Sequence, residues 1–431
     1  MESRGLKPTS CPNIGSEFVY VCSEDGTEYF ARSADDATQI ASITKVMTAV
    51  VALENSGMDR EVTVSRTAAS VGESSANLQA GDVLTMENAL KGLMIPSGND
   101  AAIAIAETIG PDFQAEAKET ENTLHRADGS AIDSDDPASA LDAFVAKMNE
   151  KAAELGCQNT VFENPHGLDG SQFAGDLHST AREVAKICAY AMGIDAFRSL
   201  CDIPRAEIPV KRNGEDITVE LKTTDLLLGN YEGACGIKTG NTDLAGPCFA
   251  GACNREGSDL YAIILHSASE EQRFIDCKTL FDWVYDNQIA YDLAHSSQET
   301  DMTLDGQTRQ VPVVAEVALD AWVDKTVPAT FKDPDAQVEV FAPQGNVSQR
   351  FELDDVSGGV SAGQVIGKAT FYQQNQEIAS VEIVACEDVP APSLLESIGI
   401  WWDKTCRTLS GQPTSAESTI INETPLILEK S

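Results

Sequence analysis

Apolar residues along this chain recur with two different periods, and the changes of period mark its elements. In SEFVYVCSEDGTEYFAR they alternate on either side of Asp25 and Gly26, the pattern of two short strands joined by a turn. From Ser42 the period lengthens. QIASITKVMTAVVALENSG is small and aliphatic to about Glu54, where Ser56 and Gly57 end it, which predicts a buried helix. Met86, Ala89, Leu90, Leu93 and Met94 fall at helical spacing and predict a second helix closed by Pro96. Ser97, Gly98 and Asn99 then make a tight loop. Asp100 is placed to cap a helix of small residues that stops at Gly110 and Pro111.

Residues 112–139 break the pattern: they are acidic, polar and poor in large apolar side chains, as in a surface insertion. Helical spacing returns in LDAFVAKMNEKAAELG and STAREVAKICAYAMG. Short β-type runs follow, CGIKTGN, GPCFAGAC and LYAIILHS, with turn residues between the last two at Asn254 to Gly257, and adjacent antiparallel strands are the natural arrangement. The amphipathic EQRFIDCKTLFDWVYDN ends the region near Asn287. An antiparallel sheet flanked by helices, an α/β (α+β) domain over residues 1–290, is the expectation.

Beyond His295 the texture is strand-like throughout, which predicts an all-β C-terminal domain at 296–388. Residues 390–431 then read as one amphipathic helix and a flexible tail. Leu394, Leu395, Ile398, Trp401 and Trp402 line one face of that helix, within 393–409. Such a face suits peripheral contact with a membrane; packing on the protein or docking a partner suits it as well, because its polar side is not rich in Lys or Arg.

Composition narrows the function. The 431 residues hold 30 basic against 68 acidic side chains, a net charge of -38, and such a surface repels nucleic acid and anionic lipid and disfavours broad electrostatic attachment to either. Apolar runs fall short of the roughly 18 residues that span a bilayer. The opening MESRGLKPTSCPNIG lacks the basic and then apolar segments of an export signal. Eleven cysteines, none in a CxxC pair, make a zinc site improbable and leave at least one thiol unpaired, with a disulfide or two expected only if the protein is exported.

Against that background, three short patterns carry chemistry. Ser42 and Lys45 stand one helical turn apart in a stretch that should be buried, where a charged lysine needs a reason and a serine hydroxyl needs a base. Ser97 and Asn99 sit on the loop between two predicted helices. Lys238, Thr239 and Gly240 lie on a strand-like segment, where Gly240 would let a ligand backbone approach an edge strand. Each pattern alone has a bland account: a helix start, a loop cap, a strand end.

In this order and spacing the three together are far more specific, and the chain resembles the D-alanyl-D-alanine carboxypeptidases, the low-molecular-mass penicillin-binding proteins. PSGNDAA, DAFVAKMNEKAAELGCQNTVFENPHGLDG, HSTAREVAKI and GIKTGNTDLAG carry the likeness beyond the motifs, strongly over about residues 16–290 and more loosely over 296–388. The resemblance implies a β-lactamase/DD-peptidase-like catalytic domain and a cell-envelope, extracytoplasmic enzyme. It would remove the terminal D-alanine from peptidoglycan stem peptides ending in D-Ala-D-Ala, be acylated by β-lactam antibiotics, and need no metal or cofactor. It implies Ser42 as nucleophile, Lys45 as general base, Ser97 as proton relay and Asn99 as the residue holding Lys45 and the substrate amide. Lys238, Thr239 and Gly240 would bind the substrate with Asn241, whose backbone N–H joins that of Ser42 in an oxyanion hole. In relatives an arginine often follows the next strands; aligned by eye, Ala268 takes that place, with Arg273 five positions on.

Two other readings compete. A serine β-lactamase shares the motifs, but no Glu-x-x-Leu-Asn appears, and the nearest string, at Glu121, lies in the acidic insertion. A catalytically weak penicillin-binding scaffold would be expected to lack some of the motif residues, yet all are present. His166 and His178 invite a Ser-His-Asp triad, but nothing marks an acid partner or a nucleophile elbow, so both read as structural.

Overall fold

The computed structural model describes residues 11–169, 176–255, 257–304 and 306–427; residues 1–10, where an export signal is sought, and 428–431 lie outside that set. The chain divides into two compact units, one of residues Pro12–Trp283 and one running from Val284 onward.

In the first unit β1 (Phe18–Ser23) and β2 (Glu28–Arg32) form the expected hairpin, its turn held by Asp25, which accepts from Thr27 N at 3.0 Å. A 3-10 turn at Ala41–Thr44 leads into α1 (Lys45–Asn55), buried from Lys45 to Ala52. Next come β3 (Glu61–Thr63), α2 (Arg66–Ser70), β4 (Val83–Thr85) and α3 (Met86–Met94), whose start is capped by Thr85 accepting from Asn88 N.

The following helix, α4 (Asn99–Glu119), does not stop at Gly110 and Pro111. Proline forfeits one helix hydrogen bond, but Phe113, Gln114 and Ala117 bury a face beyond it, and that burial offsets the loss. The glycine has a packing reason: a Cβ at Gly110 would lie 2.0 Å from the carbonyl oxygen of Ala140, where the next helix, α5 (Ala140–Glu154), begins. Gly-Pro here marks a close helix crossing. The first third of the acidic segment is therefore helical, and the rest is turn structure pinned where Arg126 pairs with Asp142. Asp100 lies inside the first turn of α4, after the N-cap Gly98; its carboxylate accepts from Ala101 N in that turn and from Ala76 N, Leu78 N and Ser75 Oγ, and so fastens the 75–78 loop to α4.

After α6 (Ala181–Met192) and α7 (Asp195–Cys201) stands a hairpin that sequence reading passed over, β5 (Arg205–Arg212) and β6 (Glu215–Lys222). Ile208, Val210, Val219 and Leu221 point inward between exposed charges, and the hairpin completes a four-stranded sheet in the order β3-β4-β5-β6. Then β7 (Ala234–Gly240), β8 (Cys248–Arg255) and β9 (Ser258–Leu265) join the first hairpin in an antiparallel sheet ordered β2-β1-β9-β8-β7, with α8 (Gln272–Asn287) following. β7, carrying Lys238, is an edge strand. The unit's core joins α1, α3, α4, α5 and α6 to this sheet. The thiols of Cys22, Cys188, Cys201 and Cys277 are buried in this unit without disulfides.

The second unit is built on strands: β10 (Gln288–Asp292), β11 (Glu299–Leu304), β12 (Gln307–Pro312), β13 (Ala315–Ala318), β14 (Thr326–Phe331), β15 (Gln337–Phe341), β16 (Ser348–Leu353), β17 (Val365–Gln373) and β18 (Gln376–Ala385). Val317, Val327, Phe331, Ile366, Phe371 and Ile383 fill its core. α9 (Leu394–Ser410) opens with a Ser393–Glu396 capping box. The tail beyond it is not loose up to residue 427. β19 (Thr419–Ile420) pairs with β13, closing a six-stranded sheet ordered β16-β17-β18-β14-β13-β19, and buried Asn422 donates to Leu293 O at 3.0 Å and accepts from His295 N at 2.6 Å. Two strand residues and one buried amide present no period to read, which is why this anchoring escaped notice.

Candidate active site

Ser42 sits on the 3-10 turn before α1, and the turn is held in a strained shape. Ala41 has φ +49°, a left-handed conformation that alanine rarely adopts and that persists only where its surroundings over-determine it. Two glycines from distant segments supply those surroundings. A Cβ at Gly167 would lie 1.9 Å from the Ala41 carbonyl oxygen, and one at Gly240 would meet Ile40 O, Ala41 Cβ and Ser42 N at 3.0 Å. Gly240 therefore admits the Ser42 turn against the edge strand, and it also lines the cavity described below.

One turn on, Lys45 is fully buried, with Nζ 2.7 Å from Ser42 Oγ, 2.6 Å from Asn99 Oδ1 and 2.7 Å from the carbonyl oxygen of His166. Burial holds its amine well below the usual lysine range, and the Lys238 cation adds to the effect. The geometry suits a neutral amine. Asn99 Oδ1 and the His166 carbonyl only accept, so they take its two N–H bonds and leave the lone pair for the Ser42 hydroxyl. Asn99, at the start of α4, is fixed by donating its Nδ2 to Gly72 O at 3.0 Å. Ser97 adopts φ +64° on the preceding loop and faces the same cavity as Ser42.

That cavity encloses about 470 Å³, and its charged lining is Arg273 with Glu270 and Glu271. On β7, Lys238 is buried and donates to Thr239 O at 2.8 Å, and burial followed by the Arg273 charge pushes its amine down to about 7. Thr239 Oγ1 lies 2.5 Å from Thr224 Oγ1. Arg273, from the first turn of α8, reaches in to donate to Gly240 O at 2.8 Å. Its Nε is buried and meets no acceptor among the described residues. Asn241 donates its side-chain amide to Glu270 at 2.8 Å on the rim.

All the motif residues thus lie at one cavity or, for Lys45, Asn99 and Lys238, directly behind it. Three contributors were missed or misplaced. The arginine at the cavity is Arg273, not a residue at the Ala268 place, because the side chain comes from the first turn of α8 and not from the strand end. Thr224 carried no motif signal. His166 contributes its backbone carbonyl, and its imidazole, pushed down to about 3 by burial and by Lys45, accepts from Leu168 N at 3.1 Å, an arrangement unlike a triad base. Among the described residues, no group of three or more His, Cys, Asp or Glu is placed to hold a metal ion.

A family model described as D-alanyl-D-alanine carboxypeptidase matches residues 15–115 and 134–269. It passes over 116–133, most of the acidic segment. A D-alanyl-D-alanine carboxypeptidase of Streptomyces sp. (strain K15) is 31% identical over 266 residues, spanning 60% of this chain and 82% of its own length. The D-alanyl-D-alanine carboxypeptidase DacF of Bacillus subtilis is 24% identical over 398 residues, or 89% of this chain and 88% of that one. The crystal structure of the Streptomyces K15 DD-transpeptidase superposes with a TM-score of 0.55 at 30% identity, covering 63% of this chain and 97% of the other.

Proposed function

The chain belongs to the D-alanyl-D-alanine carboxypeptidase family of serine peptidases, and on that premise we propose which of its residues perform the reaction and how. Ser42 Oγ attacks the carbonyl carbon of the penultimate D-alanine as its proton passes to neutral Lys45 Nζ, 2.7 Å away. The oxyanion is met by the backbone N–H groups of Ser42 and Asn241. As the tetrahedral intermediate collapses, the C–N bond breaks, and Lys45 returns the proton through Ser97 to the departing amine of the terminal D-alanine. Water, activated in turn by Lys45, hydrolyses the acyl-enzyme. The free carboxylate of the substrate pairs with Lys238, Thr239 and Arg273, and that pairing selects a chain terminus over an internal peptide bond.

One observation carries this reading: a fully buried lysine whose Nζ lies within hydrogen-bond reach of a serine hydroxyl and of two groups that only accept. Its test is release of free D-alanine from an N-acylated peptide ending in D-Ala-D-Ala. The expected outcome is stoichiometric D-alanine from that peptide and no D-alaninamide from its C-terminal amide. Equal cleavage of the two would remove the carboxylate subsite from the account, and no release from either would remove the peptidase.

A peptidoglycan substrate places the enzyme outside the cytoplasm, at the cell envelope. There we infer peripheral membrane contact through α9. Its Leu394, Leu395, Ile398, Trp401 and Trp402 are all exposed, and none of its residues is buried. Its cations Lys404 and Arg407 are engaged by Asp320 O and Asp324, so attachment would rest on apolar insertion. No described helix is long and apolar enough to cross a membrane. Co-sedimentation with phosphatidylcholine vesicles is expected for the wild type and not for a Trp401→Ser, Trp402→Ser variant; equal sedimentation of both would reject the contact.

A further inference from the structure

The segment between β6 and β7 carries a buried carboxylate that belongs to none of the motifs. Thr224 hydrogen-bonds Thr239 on β7, and its neighbour Asp225 is only 6% exposed. Asp225 Oδ1 accepts from Leu227 N at 2.8 Å, whereas Oδ2 is buried and meets no donor among the described residues. A carboxylate placed in that way is costly unless a cation compensates it. The cations within its field are Lys238 and Arg273.

Thr224 and Leu226, on either side of Asp225, line the cavity, and Thr224 bonds the residue next to Lys238, so the carboxylate lies behind the cationic subsite at more than ion-pair contact. Four groups act electrostatically on or with the Lys238 amine: Lys45 on α1, Cys201 on α7, Asp225, and Arg273 on α8. Two of them are basic, and burial pushes the Cys201 thiol far up so that it stays neutral. Of the four, Asp225 is the group able to carry negative charge at neutral pH. The strand lysine needs such a partner, because it is buried beside an arginine and must still be charged to bind a carboxylate.

We propose that Asp225 is the counter-ion that keeps Lys238 protonated, a positioning residue that acts on substrate binding through the lysine and touches no substrate itself. The inference rests on the reading of Lys238 as part of the carboxylate subsite. The sign follows from the two groups. Burial raises Asp225 to about 6, so above that pH it is ionised and favours the proton on Lys238, whose own amine is pushed down to about 7. Below about pH 6 the counter-charge fades, but there the lysine is protonated in any case. Loss of Asp225 therefore weakens binding on the alkaline side alone.

Asp225→Asn removes the charge and keeps an oxygen for Leu227 N. Acylation rates with benzylpenicillin and with its methyl ester, which lacks the carboxylate, are measured across pH for wild type and variant. The expected result is that the alkaline fall-off for benzylpenicillin moves down by about one pH unit, giving roughly tenfold slower acylation near pH 8 and little change near pH 5.5. The ester profile stays where it was. Coincident wild-type and variant profiles, or a uniform loss at every pH, would overturn the proposal. A wild type that does not prefer the free acid to the ester would instead overturn the subsite reading beneath it. If Asp225→Asn does not fold, Asp225→Ser, which also offers the turn an acceptor, carries the same expectation.

Discussion

Ser42→Ala is expected to abolish D-alanine release and to remove any covalent adduct with penicillin, a loss on the order of 10⁴-fold or more in turnover, while the protein stays folded. The two halves of that statement have separate reasons. Without Oγ no other hydroxyl among the described residues of the cavity has a base at 2.7 Å, so no second nucleophile is ready to take over. Stability survives because the lost atom is small and its lysine partner keeps Asn99 Oδ1 and the His166 carbonyl. The check is a D-alanine assay beside a thermal melt. Activity within tenfold of wild type would mean that Ser42 is not the nucleophile, and a large drop in Tm would mean that the turn, and not the chemistry, had been removed.

The second large effect is expected at Lys45. Lys45→Met keeps the length and apolar stem of the side chain and removes the amine, so acylation should slow by about 10³-fold, within the range that general base catalysis supplies. The variant leaves two buried acceptors without their donor, at about 1–3 kcal/mol each, and gains by no longer burying an ionisable group, so a lowered but cooperative melt is expected. Rates are measured on protein shown to be folded at the assay temperature. Acylation within a factor of ten of wild type would place the base elsewhere. The same variant also separates the lysine from His166, whose ring remains unchanged in it.

The convergence of the candidate site's residues on one cavity was legible in the sequence because they are spaced by the elements that carry them. Ser42 and Lys45 stand one helical turn apart, Ser97 sits on the loop between α3 and α4 with Asn99 opening α4, and Lys238 to Gly240 share a strand. What identity cannot show is a group acting through its backbone, as His166 does, or a side chain such as Arg273 that enters from a different element. Pro111 misled because proline usually ends a helix, whereas here a buried face continues beyond it. The β5–β6 hairpin did carry a signal, the alternation of Ile208 with Val210 and of Val219 with Leu221, diluted by the charges between. Asp225 has no sequence signature at all: its significance lies in burial and in the cations around it.

The central claim is that Ser42, activated by Lys45, forms an acyl-enzyme that lasts long enough to be a peptidase intermediate. Intact-protein mass spectrometry after mixing with benzylpenicillin, followed over time for wild type and Ser42→Ala, tests it most directly. The account predicts a single persistent adduct on wild type and none on Ser42→Ala. An adduct that vanishes within seconds as penicillin is consumed would make the enzyme a β-lactamase, and no adduct on wild type would contradict the serine-lysine mechanism altogether.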